Sequence, residues 1–311
     1  MNMSEIPIIG EMLSKVKKKE QFSSKKMPVD QIWCKEYLLF KREQLMSSDW
    51  WRGSEYAKNS KVQREHAEYF FDFSKLNGNE VILDLGCGPG EFAALLSNKV
   101  PKGKMVGIDP SASMLDYAIH HYPSKQYPNL EFSQQQAQNF SWKESFDLVV
   151  SVYALHWVKE QDDTFKNIYR HLKVGGRLFF IVSSGKEGLA FGRALNKTVA
   201  DWQYELRGFQ SNQYFNDIEA ERQLLVNAGF HVDKLIYQYM ETSHLSVDEL
   251  GRWIAQWLPQ YNFLDEKVRD QFLQELMHHY VEEEGTVAED GTIKWGVYVI
   301  VGYATKQGLQ D

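Results

Sequence analysis

Residues 81–91 read VILDLGCGPGE, and this stretch constrains the fold more than any other part of the chain. An apolar run ends at Asp84, and helical spacing resumes at Glu91 after three alternating glycines, Gly86, Gly88 and Gly90. Glycine allows a positive φ and close approach of the backbone to a ligand, and the free N–H groups of the next helix point into the turn. The stretch therefore predicts a strand, a tight turn and a helix that bind a nucleotide-like ligand.

Apolar runs and helical patterns alternate through the chain that follows. The patterns predict further strands at 104–109, 130–133, 146–152, 177–183, 231–240 and 292–303, and helices near 162–172 and 219–228. This alternation implies an α/β fold in which helices cover both faces of a parallel sheet. Ligands of such sheets bind at the carboxyl ends of the strands.

The segments outside this core differ in composition. Residues 1–30 are rich in lysine and poor in large apolar residues, so we expect a basic, flexible tail. Between 31 and 78, aromatic and charged residues interleave at helical intervals, which predicts helices before the sheet. Their rings either cover the sheet edge or line an apolar pocket over the glycine turn. A helical stretch at 243–291 precedes the last strand, and we expect it to form a lid.

Composition excludes several classes of function. The net charge of −7 disfavours a general affinity for nucleic acid or acidic membranes. The only two cysteines, Cys34 and Cys87, are too few for a disulfide framework or a zinc site, which favours a reducing cytoplasm and predicts no metal. We also expect no secretion and no stable membrane insertion, because a signal-peptide core and long apolar runs are both missing.

Two classes of ligand compete for the glycine turn. A dinucleotide fingerprint, G-x-G-x-x-G/A, read from Gly86 meets Glu91 at its sixth position, where a carboxylate would repel pyrophosphate. Read from Gly88 the pattern reaches Ala93, but it is then displaced from the strand end. S-adenosylmethionine carries a sulfonium and no phosphate, so the local charge favours it. Asp109, at the end of the second strand, suits a pair of ribose hydroxyls.

Three segments resemble the motifs of class I S-adenosylmethionine-dependent methyltransferases. DLGCGPG resembles the glycine motif, VGIDPSASML the second-strand motif, and LKVGGRLFFI the signature before the fifth strand, with Val174 where proline is usual. The resemblance covers about 79–305. It implies a Rossmann-like, doubly wound sheet of seven mostly parallel strands with an antiparallel last strand, in a single domain over 31–311 whose cofactor-binding core is 79–242 and whose last strand is 292–305. It assigns cofactor binding to Asp84, Gly86, Cys87, Gly88, Gly90, Asp109, Pro110, Met114, Gln136, Ala137 and Ser151.

Two longer segments are similar to carboxyl methyltransferases that act on trans-aconitate, malonyl-carrier esters and juvenile hormone acid. These are YAKNSKVQREHAEYF and SVYALHWVKEQDDTFKNIYRHLKVGGRL. The similarity implies that Gln63 and Trp157 hold a small carboxylic acid, and both side chains have N–H donors that suit an anion. A carboxylate is already ionised at neutral pH, so it needs no general base. Orientation then supplies most of the catalysis.

Two alternatives stay open. His156, after the fourth strand, is a candidate base for a hydroxyl or amine acceptor, although such a histidine also packs well in a core. The second alternative is a catalytically silent cofactor-binding protein that uses its basic tail to interact with a partner. Nucleic-acid methylation is disfavoured, because Ser151–Ala154 lacks the Asn/Asp-Pro-Pro-aromatic turn and neither cysteine is placed as a nucleophile.

Overall fold

The computed structural model describes residues 49–187, 189–283 and 285–308. The predicted basic tail at 1–30, the first part of the predicted helices at 31–48 and Cys34 lie outside the described residues. None of the helices in the described ranges is long and apolar enough to cross a bilayer.

A seven-stranded sheet in the order β3-β2-β1-β4-β5-β7-β6 forms the centre of the described chain. Its strands are β1 (Val81–Leu85), β2 (Lys104–Asp109), β3 (Leu130–Gln134), β4 (Phe146–Val152), β5 (Leu172–Glu187), β6 (His231–His244) and β7 (Ile293–Thr305). The first five strands pair in parallel, and β7 runs antiparallel to both β5 and β6. This topology confirms the predicted Rossmann-like α/β fold and its antiparallel last strand.

Ten helices are described around the sheet. They are α1 (Gly53–Asn59), α2 (Lys61–Phe70), α3 (Glu91–Lys99), α4 (Ala112–His121), α5 (Gln161–His171), α6 (Leu189–Asp201), α7 (Ile218–Ala228), α8 (Val247–Trp257), α9 (Pro259–Phe263) and α10 (Arg269–Val281). Helices α8, α9 and α10 lie in the stretch that the sequence predicts as a lid. Helix α6 was not predicted, since an interior glycine, Gly192, weakens its helical pattern.

Strand β5 begins five residues before its predicted start at Arg177, and these additional residues form a bulge. Phe146 pairs with Leu172, but the next pair is Leu148 with Arg177, so several residues of β5 lie outside the β4 ladder. Gly175 has a φ of +79°, which only glycine adopts without strain. Its N–H donates to the Lys306 carbonyl oxygen at 2.7 Å, so the chain after β7 holds the bulge in place.

The register of the two buried central strands, β1 and β2, brings the glycine turn next to Asp109. Strands β1 and β2 are buried almost throughout, as expected for central parallel strands. Their register places Asp84 beside Gly107 and Leu85 beside Ile108. The glycine turn after β1 therefore lies next to the end of β2, where Asp109 is located.

Helix α1 packs against α4 through a close approach that needs glycine. The Gly53 N–H donates to Ser113 Oγ at 3.1 Å. A Cβ at Gly53 would overlap the Ser113 carbonyl oxygen and come within 2.9 Å of Tyr117 Cβ. Just before α1, Asp49 accepts hydrogen bonds from Ser111 Oγ and the Ser113 N–H at the start of α4, at 2.8 and 3.1 Å. These contacts hold the start of α1 against the turn that follows β2.

We expect Gly53→Ala to lower the free energy of unfolding by about 1–3 kcal/mol, because backbone must shift to admit the methyl group. The matched control is Gly192→Ala in α6, where an added Cβ meets no atom within 4 Å. That helical substitution should raise stability by about 0.5–1 kcal/mol. Urea unfolding of both variants measures the difference, and equal effects would contradict the close packing of α1 on α4.

Candidate active site

The glycine turn is tied to the end of β2 by backbone hydrogen bonds. The N–H groups of Gly86 and Cys87 both donate to the Ile108 carbonyl oxygen, at 2.8 and 3.0 Å. Gly90 has a φ of +86° and stands at the N-cap of α3, and a Cβ there would come within 2.8 Å of the Phe132 ring. Side chains larger than hydrogen are therefore excluded from Gly90 by both conformation and space.

Two buried carboxyl groups face this turn. Asp109 Oδ2 accepts from the Gly88 N–H and Oδ1 from the Ser111 N–H, both at 2.9 Å. Burial raises the pKa of Asp109 to about 6, although these two hydrogen bonds act in the opposite direction. Burial and the neighbouring Asp109 raise the pKa of Asp84 to about 8. No group in the described part of the chain forms a hydrogen bond with the Asp84 carboxyl, which is 2% exposed.

The other residues predicted to bind the cofactor fall into different environments. Met114 and Cys87 are buried, and burial raises the pKa of the Cys87 thiol, so it is unsuited to nucleophilic attack. Pro110 is exposed. The fully buried Ser151 hydroxyl donates to the Leu85 carbonyl oxygen at 2.8 Å and thereby joins β4 to β1.

Gln136 and Ala137 lie in the turn after β3. Gln136 is exposed, and its Oε1 accepts from Gln138 Nε2 at 3.1 Å. Asn167 on α5 donates to the Ala137 and Phe140 carbonyl oxygens, at 3.4 and 3.0 Å. The turn is thus anchored to α5, and its contact with adenine stays a prediction.

Aromatic rings gather at the end of β4 and at the start of α1. Trp157 meets Trp50 and Trp51 edge to face, with ring centroids 6.2 and 5.2 Å apart. Trp51 also packs on Tyr56, whose hydroxyl pKa is raised by burial and by the negative charges of Asp109 and Glu91. The early aromatics Trp50, Trp51 and Tyr56 therefore lie beside the turn after β4, and both roles predicted for them stay predictions.

The turn after β4 is strained and anchored to α2. Tyr153 has a φ of +56°, an uncommon value for a residue other than glycine. Its hydroxyl lies 2.6 Å from Nδ1 of His66, and its N–H donates to the Ile181 carbonyl oxygen at 2.8 Å. Burial lowers the pKa of His66 to about 4, so the imidazole is neutral at physiological pH. A hydrogen bond between two neutral buried groups therefore joins β4 to α2.

His156 is enclosed by aromatic side chains. Its ring stacks on Phe215 with centroids 5.7 Å apart, and it contacts Trp157 at 5.5 Å. Burial lowers the pKa of His156 to about 3. Nδ1 is buried and has no hydrogen-bond partner in the described part of the chain. The imidazole is therefore a neutral and weakly basic ring.

Gln63 lies on α2, one turn before His66 and on the same face. Its Oε1 is buried and has no hydrogen-bond partner among the described residues. Trp50 Nε1, in the ring cluster around Trp157, is also buried and unpartnered. Buried polar atoms are normally paired. Trp50 Nε1 is a donor that suits an anion, whereas Gln63 Oε1 is an acceptor and requires a donor.

Sequence reasoning missed several residues of this site. The sequence does not predict the positive φ of Tyr153, because that angle depends on how the chain leaves β4. It does not predict the roles of His66 and Phe215 either, because both residues contact partners that are distant in sequence. Glu91 was expected to act by its charge alone. Glu91 Oε2 also accepts a hydrogen bond from Ser60 Oγ at 3.0 Å and lies 3.9 Å from Arg64 Nη1. These contacts dock α2 on α3.

No group of His, Cys, Asp and Glu able to hold a metal occurs among the residues described.

Comparison with known proteins agrees with this architecture. A family model described as a methyltransferase domain matches residues 82–176. An Invertebrate iridescent virus 6 protein described as a methyltransferase is 27% identical over 259 residues, covering 81% of this chain and 92% of that protein. Trans-aconitate 2-methyltransferase of Deinococcus radiodurans is 37% identical over 128 residues, covering 41% of this chain and 47% of the enzyme.

A solved structure supports the fold alone. The crystal structure of a Bacillus halodurans protein described as a methyltransferase superposes with a TM-score of 0.53 at 19% identity, and the match covers 80% of this chain and all of that one. Together with the family match over residues 82–176, these findings show an S-adenosylmethionine-dependent methyltransferase, and the chain resembles the class I enzymes of the trans-aconitate methyltransferase group.

Proposed function

We propose that the chain transfers a methyl group to the carboxylate of a small-molecule acid and forms its methyl ester. The observation that carries the proposal is the chemistry around Trp157, where donors are uncharged and the nearest histidine is a very weak base. The relative from Deinococcus radiodurans is named as a trans-aconitate methyltransferase, which supports an acid acceptor, although the match spans about half of that enzyme (47%).

The residues of the glycine turn fit the cofactor. When bound, S-adenosylmethionine supplies an electrophilic methyl group on a sulfonium. We propose that Asp109 accepts hydrogen bonds from its ribose hydroxyls and that Asp84 balances its positive charge. Both carboxyl groups are buried, and Asp84 has no partner of its own among the described residues. Gly88 leaves open space above the turn, since a Cβ there would meet no atom within 4 Å.

The acceptor side requires orientation more than proton transfer. A carboxylate is ionised near neutral pH, so no residue has to remove a proton from it. The Gln63 amide and the Trp157 indole would hold the anion through N–H donors, and the neighbouring rings would exclude water. Placing the reacting atoms in this way supplies about 7–11 kcal/mol in favourable cases.

The low pKa of His156 disfavours the main alternative. A hydroxyl or amine acceptor needs a base with a pKa near the working pH, whereas burial lowers the pKa of His156 to about 3. Position alone supports this alternative, because His156 follows β4 in the 3-10 turn Leu155–Trp157. A non-catalytic role for the basic tail, a cytoplasmic location and a lack of nucleic-acid binding stay predictions.

Substitutions at the acceptor side separate the two reactions. We expect Gln63→Leu and Trp157→Phe each to lower kcat/KM for an acid by about 10- to 100-fold, because each removes a hydrogen bond to a charged group. Their Kd for S-adenosylmethionine should not change. His156→Asn should keep most of the activity, and it serves as the matched control. The measurement is the transfer of a labelled methyl group to acids, phenols and amines. The proposal would be contradicted if the wild type methylates phenols or amines and His156→Asn abolishes that activity.

Cofactor binding should depend on pH through Asp84. In the free protein the pKa of Asp84 is about 8, and a nearby cation lowers it, so binding at neutral pH should release a proton. Affinity should therefore rise as the pH increases towards the pKa of the free protein. Asp84→Asn should remove this proton release. The amine of the cofactor also titrates, but its contribution is the same for the wild type and the variant. Calorimetry in buffers of different ionisation enthalpy measures it, and equal proton release would refute the role of Asp84.

The hydrogen bond between Tyr153 and His66 should position the acceptor-binding side chains. Tyr153→Phe leaves the buried His66 Nδ1 without a partner, which costs about 1–3 kcal/mol of stability. We also expect a higher KM for the acceptor and an unchanged Kd for the cofactor. The control is Tyr69→Phe, because Tyr69 is exposed and lies on α2, the helix of His66. If stability falls while acceptor kinetics stay as in the wild type, the pair only supports the fold.

A further inference from the structure

Residues 209–217, which lead into α7 without regular secondary structure, lie over the ends of two central strands. We call these residues the α6–α7 segment. The Phe215 ring stacks on His156, which follows β4, with centroids 5.7 Å apart. A Cβ at Gly185, near the carboxyl end of β5, would come within 2.5 Å of the same ring. The Tyr214 N–H donates to the His156 carbonyl oxygen at 2.7 Å, so the backbone of the segment is also bonded to the turn after β4.

A buried amide side chain fastens the segment to this turn a second time. Gln161, the first residue of α5, is 8% exposed. Its Nε2 donates to the Leu155 carbonyl oxygen at 3.1 Å and to the Tyr214 carbonyl oxygen at 2.8 Å. Its Oε1 accepts a hydrogen bond from Asn216 Nδ2. One side chain therefore holds both the turn and the segment, and the position of each depends on the other.

A buried carboxyl group completes these contacts. Glu221, in the first turn of α7, is 2% exposed, and its Oε1 accepts from Asn216 Nδ2 at 3.0 Å. Its Oε2 is buried and has no hydrogen-bond partner among the described residues. Burial raises the pKa of Glu221 to about 7, against the opposing effect of the Asn216 hydrogen bond. A neutral carboxyl group suits this place, whereas a carboxylate would be desolvated with a single donor.

No cation in the described part of the chain forms an ion pair with Glu221. Helix α5 and strand β6 pack against α7. Lys166 on α5 pairs with Asp162, and Arg222 on α7 pairs with Glu219. The other titratable residues of the turn after β4, of α5, of the α6–α7 segment and of the start of β6 are likewise not paired with Glu221, and they are His156, Asp163, Tyr169, Arg170, His171, Tyr214, Asp217, His231, Asp233 and Lys234. An ionised Glu221 would therefore lack a counter-charge in the closed structure.

We propose that Glu221 is a positioning residue whose neutral carboxyl group closes the α6–α7 segment on the turn that carries Trp157, and whose ionisation loosens the segment. In the closed arrangement, Asn216 and Gln161 connect this carboxyl group to the turn. On ionisation the proton passes to solvent, and the carboxylate becomes hydrated when the segment and the start of α7 move outward. The carboxyl ends of β4 and β5 are then less covered. The inference goes beyond the proposed function, since it holds for any methyl acceptor.

The pH range of this change follows from the pKa of Glu221 in the closed and open forms. The ordinary value of 4.5 applies when the side chain is exposed, and burial raises it to about 7 in the closed form. The closed form therefore binds the proton more tightly. Its stability is greatest below about pH 4.5, falls as the pH rises to about 7 and changes no further above that. Asp109 and Asp84 titrate near the same range, with pKa values of about 6 and about 8, so the test substitutes Glu221 itself.

Hydrogen exchange of the Tyr214 N–H in the full chain measures closure, because this group donates to the His156 carbonyl oxygen. In the wild type its protection factor, corrected for the intrinsic rate of exchange, should fall about 10- to 100-fold between about pH 5 and about pH 8. Glu221→Gln has nearly the same shape and stays neutral, so its protection factor should be the same at both pH values. The matched control is Glu219→Gln on the same helix, which should behave as the wild type because the Glu219 side chain is 79% exposed.

The environment of Trp157 is measured separately by fluorine NMR of the protein labelled with fluorotryptophan. Trp157→Phe assigns the resonance. In the wild type this resonance should shift over the same pH range, and Glu221→Gln should remove the part of the shift that follows Tyr214 protection. Asn216→Leu breaks the connection while Glu221 remains, so it should lower Tyr214 protection about 2- to 10-fold even at the lower pH.

Three results would overturn the proposal. The first is the same pH dependence of Tyr214 protection in the wild type and in Glu221→Gln. The second is a Trp157 resonance that does not respond when Tyr214 protection changes, because Glu221 would then hold the segment without positioning the turn. The third is a parallel loss of protection throughout β4, because the carboxyl group would then act on the stability of the whole fold.

Discussion

The carboxyl group of Asp109 holds together the part of the molecule on which everything else depends. It accepts one N–H from Gly88, in the turn after β1, and one from Ser111, at the start of the helix after β2. Two neighbouring turns are thereby fixed to each other at the edge where parallel strands end. The same carboxyl keeps free lone pairs for ribose hydroxyls, because a carboxylate accepts about four hydrogen bonds. Burial raises its pKa to about 6, which still leaves it ionised at neutral pH.

Long-range contacts connect the proposed acceptor side to the glycine turn and the end of β2. Asp49 binds the start of α4, and so the aromatic rings before and on α1 lie against the cofactor turns. The His66 to Tyr153 hydrogen bond joins α2 to the exit of β4, which brings the helix of Gln63 to the turn of Trp157. The strained φ of Tyr153 is maintained because these neighbours fix it from both sides. Displacing α1 or α2 should therefore affect the acceptor more than the cofactor.

The sequence predicted features that depend on local patterns, and it missed those that depend on distant contacts. The glycine turn and the ends of β1 and β2 follow from alternate glycines and from apolar runs that end in acids, and the structure has them where they were expected. The bulge in β5 did not follow, since it depends on pairing between Gly175 and Lys306. The role of Glu91 in docking α2 escaped notice for the same reason. Gln63 was chosen by resemblance, and its unpartnered buried oxygen became visible only in three dimensions.

If the acceptor is a carboxylate, there is a physical reason for uncharged donors such as Gln63 and Trp157 to hold it. An anion attacks a cation in the proposed reaction, so both charges diminish on the way to the transition state. A lysine or arginine on the carboxylate would stabilise the separated charges more than the transition state and would raise the barrier. Neutral donors such as an amide and an indole orient the anion with less of this penalty. The same reasoning assigns negative charge to the proposed cofactor side, through Asp109 and through Asp84 once a bound cation lowers its pKa.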